Sequence, residues 1–403
     1  MQRSLSFAQA RREIARMLGA VAAPGTESVA LADAQGRILA HDLIANHDVP
    51  AFANSAMDGY ALRGGDLLAG LKQFRMIGRQ LAGHVGDLTA GQGECVRVTT
   101  GSVMPAGTDT VVIQENSHRD GDLIDVLRNP ARGANVRPAG GDLVRGQRVL
   151  RAGTRCNAAQ LGVIATLGLA QIEVFARLKV AHFSTGDELR PLGEPLKPGQ
   201  IYDSNSVALA ALLKSDGLAG SALAPVCDDL NALRERLKQA LAQAPVVLTT
   251  GGASVGEADF LLQLLGELGQ VHIAQVQMRP GLPFIAASAG AAVVFALPGN
   301  PVSVMACYRM LLSAALKRRS GARPQAPLRL RAILDEALNK SHRRREFMRG
   351  IYKCDLNGRL RVRTTGSQSS QVLSSMARAN CLIVLPEGEL SLPIGATVLI
   401  EPL

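Results

Sequence analysis

The side chains best able to do chemistry follow three apolar runs. Ser184-Thr185-Gly186-Asp187-Glu188 follows Lys179–Phe183, and Cys227-Asp228-Asp229 follows Ala222–Val226. The stretch Thr250-Gly251-Gly252-Ala253-Ser254-Val255-Gly256-Glu257-Ala258-Asp259 follows Pro245–Thr249. As strands of a parallel sheet, these runs would send all three stretches to its carboxyl edge, where ligands of open α/β sheets bind. Paired glycines let backbone N–H groups approach an anion, and the helix start that follows adds partial positive charge, which suits a phosphate. Acids beside such a cradle make chemical sense around Mg²⁺, which takes carboxylate and phosphate oxygens together. Asp228 and Asp259 are the candidates for that role. The plainer alternative is that Asp228 or Asp229 caps the next helix, Asp259 complements a helix dipole, and the glycines form a tight turn. No Gly-Lys-Ser/Thr follows the glycines, so the loop is not a Walker A sequence.

Gly252-Ala253-Ser254-Val255-Gly256 also satisfies the G-x-S-x-G pattern of a hydrolase nucleophile at Ser254. Only His272 and His342 follow it as triad partners, and an HGGG-type oxyanion loop is missing, so a serine hydrolase is a remote reading. The run Ala291–Leu297 ends in Pro298-Gly299-Asn300-Pro301-Val302-Ser303, where Pro301 suits a first helical turn and Ser303 could present a hydroxyl to an oxyanion, although structural punctuation alone would also explain the segment. Arg343-Arg344-Arg345 with Arg349 could form a solvated charged face, the usual meaning of such a run, or supply an oxyanion contact, and the run itself reads as surface. Asn54-Ser55-Ala56-Met57-Asp58-Gly59-Tyr60-Ala61 is an unusual loop composition, and its Asp58 is remote in sequence from the other acids. To act with them it must fold back or come from a second subunit.

These groups need elements to hold them. Ser6 ahead of Phe7, Ile14, Met17, Leu18 and Val21 predicts an N-terminal helix closed by Pro24-Gly25. From roughly Ile44 to Gly146 the texture is β-rich, with strands such as Cys95–Thr99 and Thr110–Ile113, the latter joined through Asp120-Gly121 to Leu123–Leu127. Between about Leu178 and Ser320 strands alternate with helical spacing. The strands are Lys179–Phe183, Ala222–Val226, Pro245–Thr249, Val271–Met278 and Ala291–Leu297, which implies a parallel sheet. The final 80 or so residues return to β texture, with Arg359–Arg363 after Asn357-Gly358 and Thr397–Ile400, a small terminal β domain. The fold class is α/β plus β in a multidomain chain.

With 403 residues the prior is two to three or more domains of about 150 residues. Lys plus Arg at 44 against Asp plus Glu at 34 gives a net charge of +10, which favours anionic ligands. Aromatics at 3% with no Trp leave few stacking platforms, which argues against nucleic acid. The cysteines at 95, 156, 227, 307, 354 and 381 stand singly, without zinc-site spacing, and read as reduced buried thiols. No secretory signal is visible in Met1–Ala23, so the cytoplasm is the expected compartment. Pro280–Tyr308 carries no charge, but Pro298-Gly299-Asn300-Pro301 interrupts it, so a buried strand, loop and helix is expected rather than a membrane span.

Taken together, the motifs resemble the molybdopterin molybdotransferase family, which includes the E domain of gephyrin. The match is carried by Asn54–Ala61, Ser184-Thr185-Gly186-Asp187-Glu188-Leu189, Thr250–Gly256 and Leu297–Ser303. Tyr202-Asp203-Ser204-Asn205 and the stretch from Cys95 to Glu115 support it. The resemblance implies an elongated homodimer with four domains per chain: 27–45 with 146–177 connecting, 46–145 a β-rich insert, 1–26 with 178–323 an α/β molybdopterin-binding-like domain, and 324–403 a small β-barrel. It implies insertion of molybdate into adenylylated molybdopterin, with Mg²⁺-dependent cleavage of the adenylate to give AMP and molybdenum cofactor. It also implies transient contact with the adenylyltransferase and with acceptor molybdoenzymes.

Carried over by motif, the acidic site residues are Asp58, Asp142, Glu188, Asp228 and Asp259, with Thr99 or Thr100 nearby and Asp58 reaching the site from the other subunit. Mg²⁺ falls to Asp228 and Asp259. Substrate contacts fall to Asp187, Asp203, Asn205, Gly251, Gly252, Ser254 and Pro298, Gly299, Asn300 and Pro301. The molybdate pocket draws on Arg279, Ser303, Arg349 and Ser370, because an Arg fork and hydroxyls suit a tetrahedral dianion. Two departures stand out. Gln275 and Leu282 occupy a segment where the family usually carries lysines, and Gly141 replaces an acid often found before Asp142. A scaffold protein that keeps the fold without the reaction is the rival class; intact Asp58, Asp228 and Asp259 argue against it.

Overall fold

In the computed structural model, which describes residues 4–252 and 258–403, the first helix runs Phe7–Ala20. The Ser6 hydroxyl accepts from the Gln9 backbone N–H at 3.3 Å, and the Gln9 side chain accepts from the Ser6 N–H at 3.0 Å. This reciprocal pair satisfies two donors that a helix start otherwise leaves orphaned. Phe7, Ala10, Ile14, Met17 and Leu18 form the buried stripe. The helix ends before Pro24-Gly25, with Val21 as its C-cap.

The chain divides into two units, Met1–Ser28 with Gly36–Ala40 and Glu173–Leu403, and Val29–Gln35 with His41–Ile172. In the first, a six-stranded sheet has the order Ala219–Ala222, Lys179–Ser184, Val246–Thr250, Ala292–Leu297, Ile285–Ala289, Gln270–Ile273. The first four strands are mutually parallel, and Ile285–Ala289 is antiparallel to both of its neighbours. Val180, Leu248 and Phe295 pack on the face that also buries the first helix, and Ala181, Phe183, Val247 and Val294 on the opposite face. Burial on both faces is why these strands read as continuous apolar runs. The helices Ser204–Ser215, Leu230–Gln243, Ala258–Leu268 and Pro301–Cys307, the last continued through a π-helical turn into Ser313–Arg319, belong to this part.

Several strand boundaries differ from those the sequence suggests. Val271–Met278, expected as one strand, is two. Gln270–Ile273 forms the sheet edge with a register shift, while Gln275–Arg279 leaves to pair in parallel with Ser4–Ser6 and Arg345–Cys354. Ile273 is buried at the end of the first half, and Val276 and Met278 are buried in the second, alternating with partly exposed Gln275, Gln277 and Arg279. Ala222–Val226 contributes only its first residue to the strand, and Val226 makes a lone bridge to Thr185. The charge-free stretch holds a hairpin, Ile285–Ala289 and Ala292–Leu297 about Gly290 at φ +59°, before its loop and helix.

Five strands close into a barrel in the C-terminal part: Leu330–Leu334, Arg345–Cys354, Leu360–Thr364, Cys381–Leu385 and Thr397–Pro402, with Arg345–Cys354 pairing Cys381–Leu385 to seal it. Leu334, Val362, Ile383 and Ile400 are in its core. Gly358, at φ +75°, turns the predicted hairpin.

The second unit is built on a sheet of Thr110–Ile113, Gly59–Leu62, Glu94–Val98, Gln73–Gln80, Leu123–Val126 and Ser117–Asp120, in that order. The Gly121 turn joins Ser117–Asp120 to Leu123–Val126. Thr110–Ile113, the expected hairpin partner, lies at the opposite edge against Gly59–Leu62, because a 3₁₀ turn at Gln114–Asn116 redirects the chain. No helix among the described residues is long and apolar enough to cross a membrane. Four cysteines are buried, but Cys227 and Cys354 are exposed, against the expectation for all six.

Candidate active site

The four parallel strands deliver their following loops to one edge, and hydrogen bonds stitch those loops together. The Thr185 N–H donates to the Thr250 carbonyl at 2.8 Å, the Gly186 N–H to the Val226 carbonyl at 3.1 Å, and the Asn205 amide to the Gly299 carbonyl at 2.7 Å. Gly251 is at φ +89°, and a Cβ there would sit 2.3 Å from the Thr185 carbonyl oxygen, so only glycine permits this approach. Beneath the rim, Ser184 donates to Asp203 at 2.9 Å and accepts from Thr250 at 2.9 Å. Asp203 also caps the helix Ser204–Ser215, accepting from the Ser206 N–H at 3.0 Å. Its buried carboxylate is therefore engaged in holding the strand end to the helix.

The acids collect on this rim. Asp229 caps Leu230–Gln243, accepting from the Asn231 and Ala232 N–H groups at 3.0 and 2.9 Å. That leaves Asp228 beside Asp187, whose carboxylate accepts the Asp228 N–H at 3.2 Å. Partial burial, and then the charges of Asp187 and Glu188, push the Asp228 carboxyl above the ordinary carboxylate range. A divalent cation would relieve that repulsion, so this donor set fits one. Among the described residues no three His, Cys, Asp or Glu side chains form a ready metal cage. Mg²⁺ needs none, since one or two carboxylates with ligand phosphates and water complete its shell. Ser254 lies outside the described residues, as does the side chain of Asp259, whose backbone is in the first turn of Ala258–Leu268.

In the second unit, Asp58 accepts from the Thr100 N–H at 2.7 Å and from the Thr100 hydroxyl at 2.9 Å, and these bonds hold its carboxyl below the usual range. Thr99 instead turns toward Ser102, 3.0 Å away, and accepts from the Ala82 N–H at 3.1 Å. The Arg97 guanidinium lies 5.2 Å over the Tyr60 ring. Asp142 is exposed, its N–H donating to the Val49 carbonyl at 2.9 Å.

A basic cluster occupies the strands around the barrel. Arg349 is 1% exposed and donates to the Ser375 hydroxyl at 3.1 Å and the Ser369 carbonyl at 3.0 Å. The Ser370 carbonyl accepts from the Val302 N–H at 3.2 Å, joining this loop to the helix that carries buried Ser303. Arg279 lies 3.5 Å from Glu346. Of the run expected at the surface, only Arg343 is exposed. Arg344 and Arg345 are half-buried, and Arg345 sits 5.1 Å over the Phe7 ring. The strand pairing pulls this segment against the first helix. An open pocket of about 470 Å³ here is lined by Gln275, Gln277, Leu282, Arg343, Arg344 and Glu387.

Three family models match the chain in order: MoeA N-terminal region (domain I and II) over residues 5–168, probable molybdopterin binding domain over 181–318, and MoeA C-terminal region (domain IV) over 331–403. The molybdopterin molybdenumtransferase of Haemophilus influenzae is 36% identical over 380 residues, 94% of each chain. This chain belongs to the molybdopterin molybdenumtransferase family. A protein of the same name from a Nostoc species is 36% identical over 93% of this chain and 88% of its own. The crystal structure of the molybdopterin biosynthesis moeA protein from Pyrococcus horikoshii OT3 has a TM-score of 0.85 at 28% identity, with 100% of both chains covered.

For this member of the molybdopterin molybdenumtransferase family, the structure gathers Asp187, Glu188, Asp228, Asn205, Gly251 and Gly299 at the sheet edge. It places Arg349, Ser370 and Ser303 about one loop. His272 and His342, the histidines a serine triad would need, meet Ser288 at 3.0 Å and Glu346 at 3.3 Å. Sequence reading missed Lys340 and Glu346, both buried. The signal was an acid directly before Phe347 in an Arg-rich segment, where a charge on a buried strand needs partners.

Proposed function

We propose that this chain inserts molybdate into adenylylated molybdopterin, cleaves the adenylate, and releases AMP and molybdenum cofactor. The observation that carries this reading is the rim of stitched loops, where Gly251 packs on Thr185 beside the mutually repelling Asp187, Glu188 and Asp228. In this reading the Gly251–Gly252 backbone receives the pyrophosphate. Asp187 orients Asp228 by accepting its N–H, and Asn205 fixes the Gly299 loop. Asp228 with Asp259 would hold Mg²⁺, which supplies charge neutralisation at the phosphates. Arg279, Ser303, Arg349 and Ser370 bind the molybdate dianion.

The proposal extends to a homodimer in which Asp58, oriented by Thr100, acts from the partner chain. It also extends to a cytoplasmic setting, transient contact with the adenylyltransferase and acceptor molybdoenzymes, and the four-domain division. The test is incubation with adenylylated molybdopterin, Mg²⁺ and molybdate, reading AMP release and reconstitution of a cofactor-free molybdoenzyme. Wild-type protein should give both products. Asp228→Asn and Asp259→Asn should lose AMP release on the order of a hundredfold or more while still binding the adenylylated ligand. Binding without either product in the wild type would overturn the transferase reading.

A further inference from the structure

Glu346 is 3% exposed and lies among the charges of Arg279, Lys340, Arg344 and Arg349. Its Oε1 is 3.5 Å from Arg279 Nε. Its Oε2 lies 3.3 Å from His342 Nε2 and has no hydrogen-bond partner among the described residues. The cations around it are no better matched. Lys340 is 8% exposed and donates to the Pro386 carbonyl at 2.6 Å, and among the described residues the Arg349 guanidinium donates only to neutral oxygens. Arg344 joins this cluster to the neighbouring open pocket. Glu387, which follows the strand Cys381–Leu385, pairs with Arg345 at 2.9 Å and, with Glu389, also faces Lys340.

A buried carboxylate with an unsatisfied oxygen is costly unless charge around it compensates, and cations held this closely repel one another unless an anion sits between them. Glu346 supplies that anion from within the chain. A tetrahedral dianion reaching the same guanidiniums makes the Glu346 charge superfluous and then repulsive. We propose that Glu346 is the resident counter-ion of the oxyanion site and that its carboxylate takes up a proton when the dianion binds. The inference rests on the reading of Arg279 and Arg349 as oxyanion contacts. Burial already raises the Glu346 carboxyl, against the pull of Arg279, Lys340, Arg349 and Arg344. His342 is the other group within reach of the proton, but burial and the charges of Arg344, Arg279 and Lys340 hold it at about 4.

Linkage fixes the signature: uptake of about one proton makes affinity fall by up to about tenfold per pH unit as pH rises. Isothermal titration with molybdate, from about pH 6 to about pH 8, in buffers of different ionisation enthalpy reads both quantities. Sulfate, a dianion across the range, is the parallel probe. Wild-type protein should show the slope and the proton uptake. Glu346→Gln should bind more tightly at the alkaline end with no slope. Glu346→Asp and His342→Gln, both keeping a carboxylate at the position, should retain it. A wild type that binds with a flat profile overturns the counter-ion assignment and leaves the oxyanion reading intact. A slope that survives in Glu346→Gln, or vanishes in His342→Gln, moves the proton elsewhere and overturns it too. A wild type that binds neither anion, or an Arg349→Ala variant that binds as well as wild type, overturns the oxyanion reading and this inference with it.

Discussion

Gly251 and Gly252 are adjacent and both at positive φ, yet a methyl group would meet different resistance at each. At Gly251 it would press to 2.3 Å on a backbone carbonyl of Thr185, and at Gly252 to 3.1 Å on the Thr185 hydroxyl, which can rotate. Both substitutions are expected to cost about 1–3 kcal/mol in backbone strain, and Gly251→Ala more than Gly252→Ala because of its contact with the Thr185 carbonyl. Thermal melts of the two variants check the order. Displacement of Thr185 also moves Asp187, so AMP release should fall further in Gly251→Ala than its stability loss explains. Equal melting points and equal activities would mean that the approach to Thr185 does not position the rim. The same scale shows what residue types alone cannot separate. Thr99 and Thr100 are identical side chains in one turn, but only Thr100 faces Asp58. Likewise, either Asp228 or Asp229 suits a helix cap by type, and Asp229 takes that place.

At the scale of the element, the strand Lys179–Ser184 carries a histidine among residues chosen for burial. His182 is 1% exposed, and neither ring nitrogen has a hydrogen-bond partner among the described residues. Burial holds its pKa below 6.5, and the charge of Asp203 opposes that only in part. The unfolded chain then binds a proton that the folded strand refuses. The stabilising contribution is complete above the unfolded value of about 6.5 and is lost as pH falls from there toward the lower folded value. His182→Leu, which keeps an apolar group of similar size facing the same core, should flatten the decline in melting temperature across that acid window. An unchanged acid decline would assign it to other groups. The central strands of this sheet were legible because burial on both faces makes them continuous apolar runs, whereas the mostly exposed edge strand Ala219–Ala222 was placed too late in the sequence. The crossing at Ala274 was missed although the texture changes there, from buried His272-Ile273 to Gln275, Gln277 and Arg279 alternating with buried Val276 and Met278, the pattern of a half-buried strand.

Over the whole molecule, what could be read from the sequence is what is local. The alternation of strands and helices, the glycine pair and the acids at strand ends lie within short windows, and they located the sheet-edge rim. Barrel closure by Thr397–Pro402 on Leu330–Leu334 and of Cys381–Leu385 on Arg345–Cys354 joins segments whose partners no local pattern names. The burial that brings Glu346 among Arg279, Lys340 and Arg349 depends on that closure, so the counter-ion was invisible before the fold. Net charge is different, because it acts through space without regard to topology. A formal charge of +10 surrounds a site proposed to take a pyrophosphate and a molybdate dianion. Exposed charges are screened over about 10 Å at 0.1 M salt, whereas the proposed anion contact at buried Arg349 would be screened much less. Added salt should therefore lower kcat/KM for the adenylylated substrate by slowing encounter, while kcat stays nearly constant. Steady-state rates over a series of salt concentrations separate the two quantities. If kcat falls with salt and kcat/KM does not, the charge acts on the bound state, and steering by the field of the whole chain is excluded.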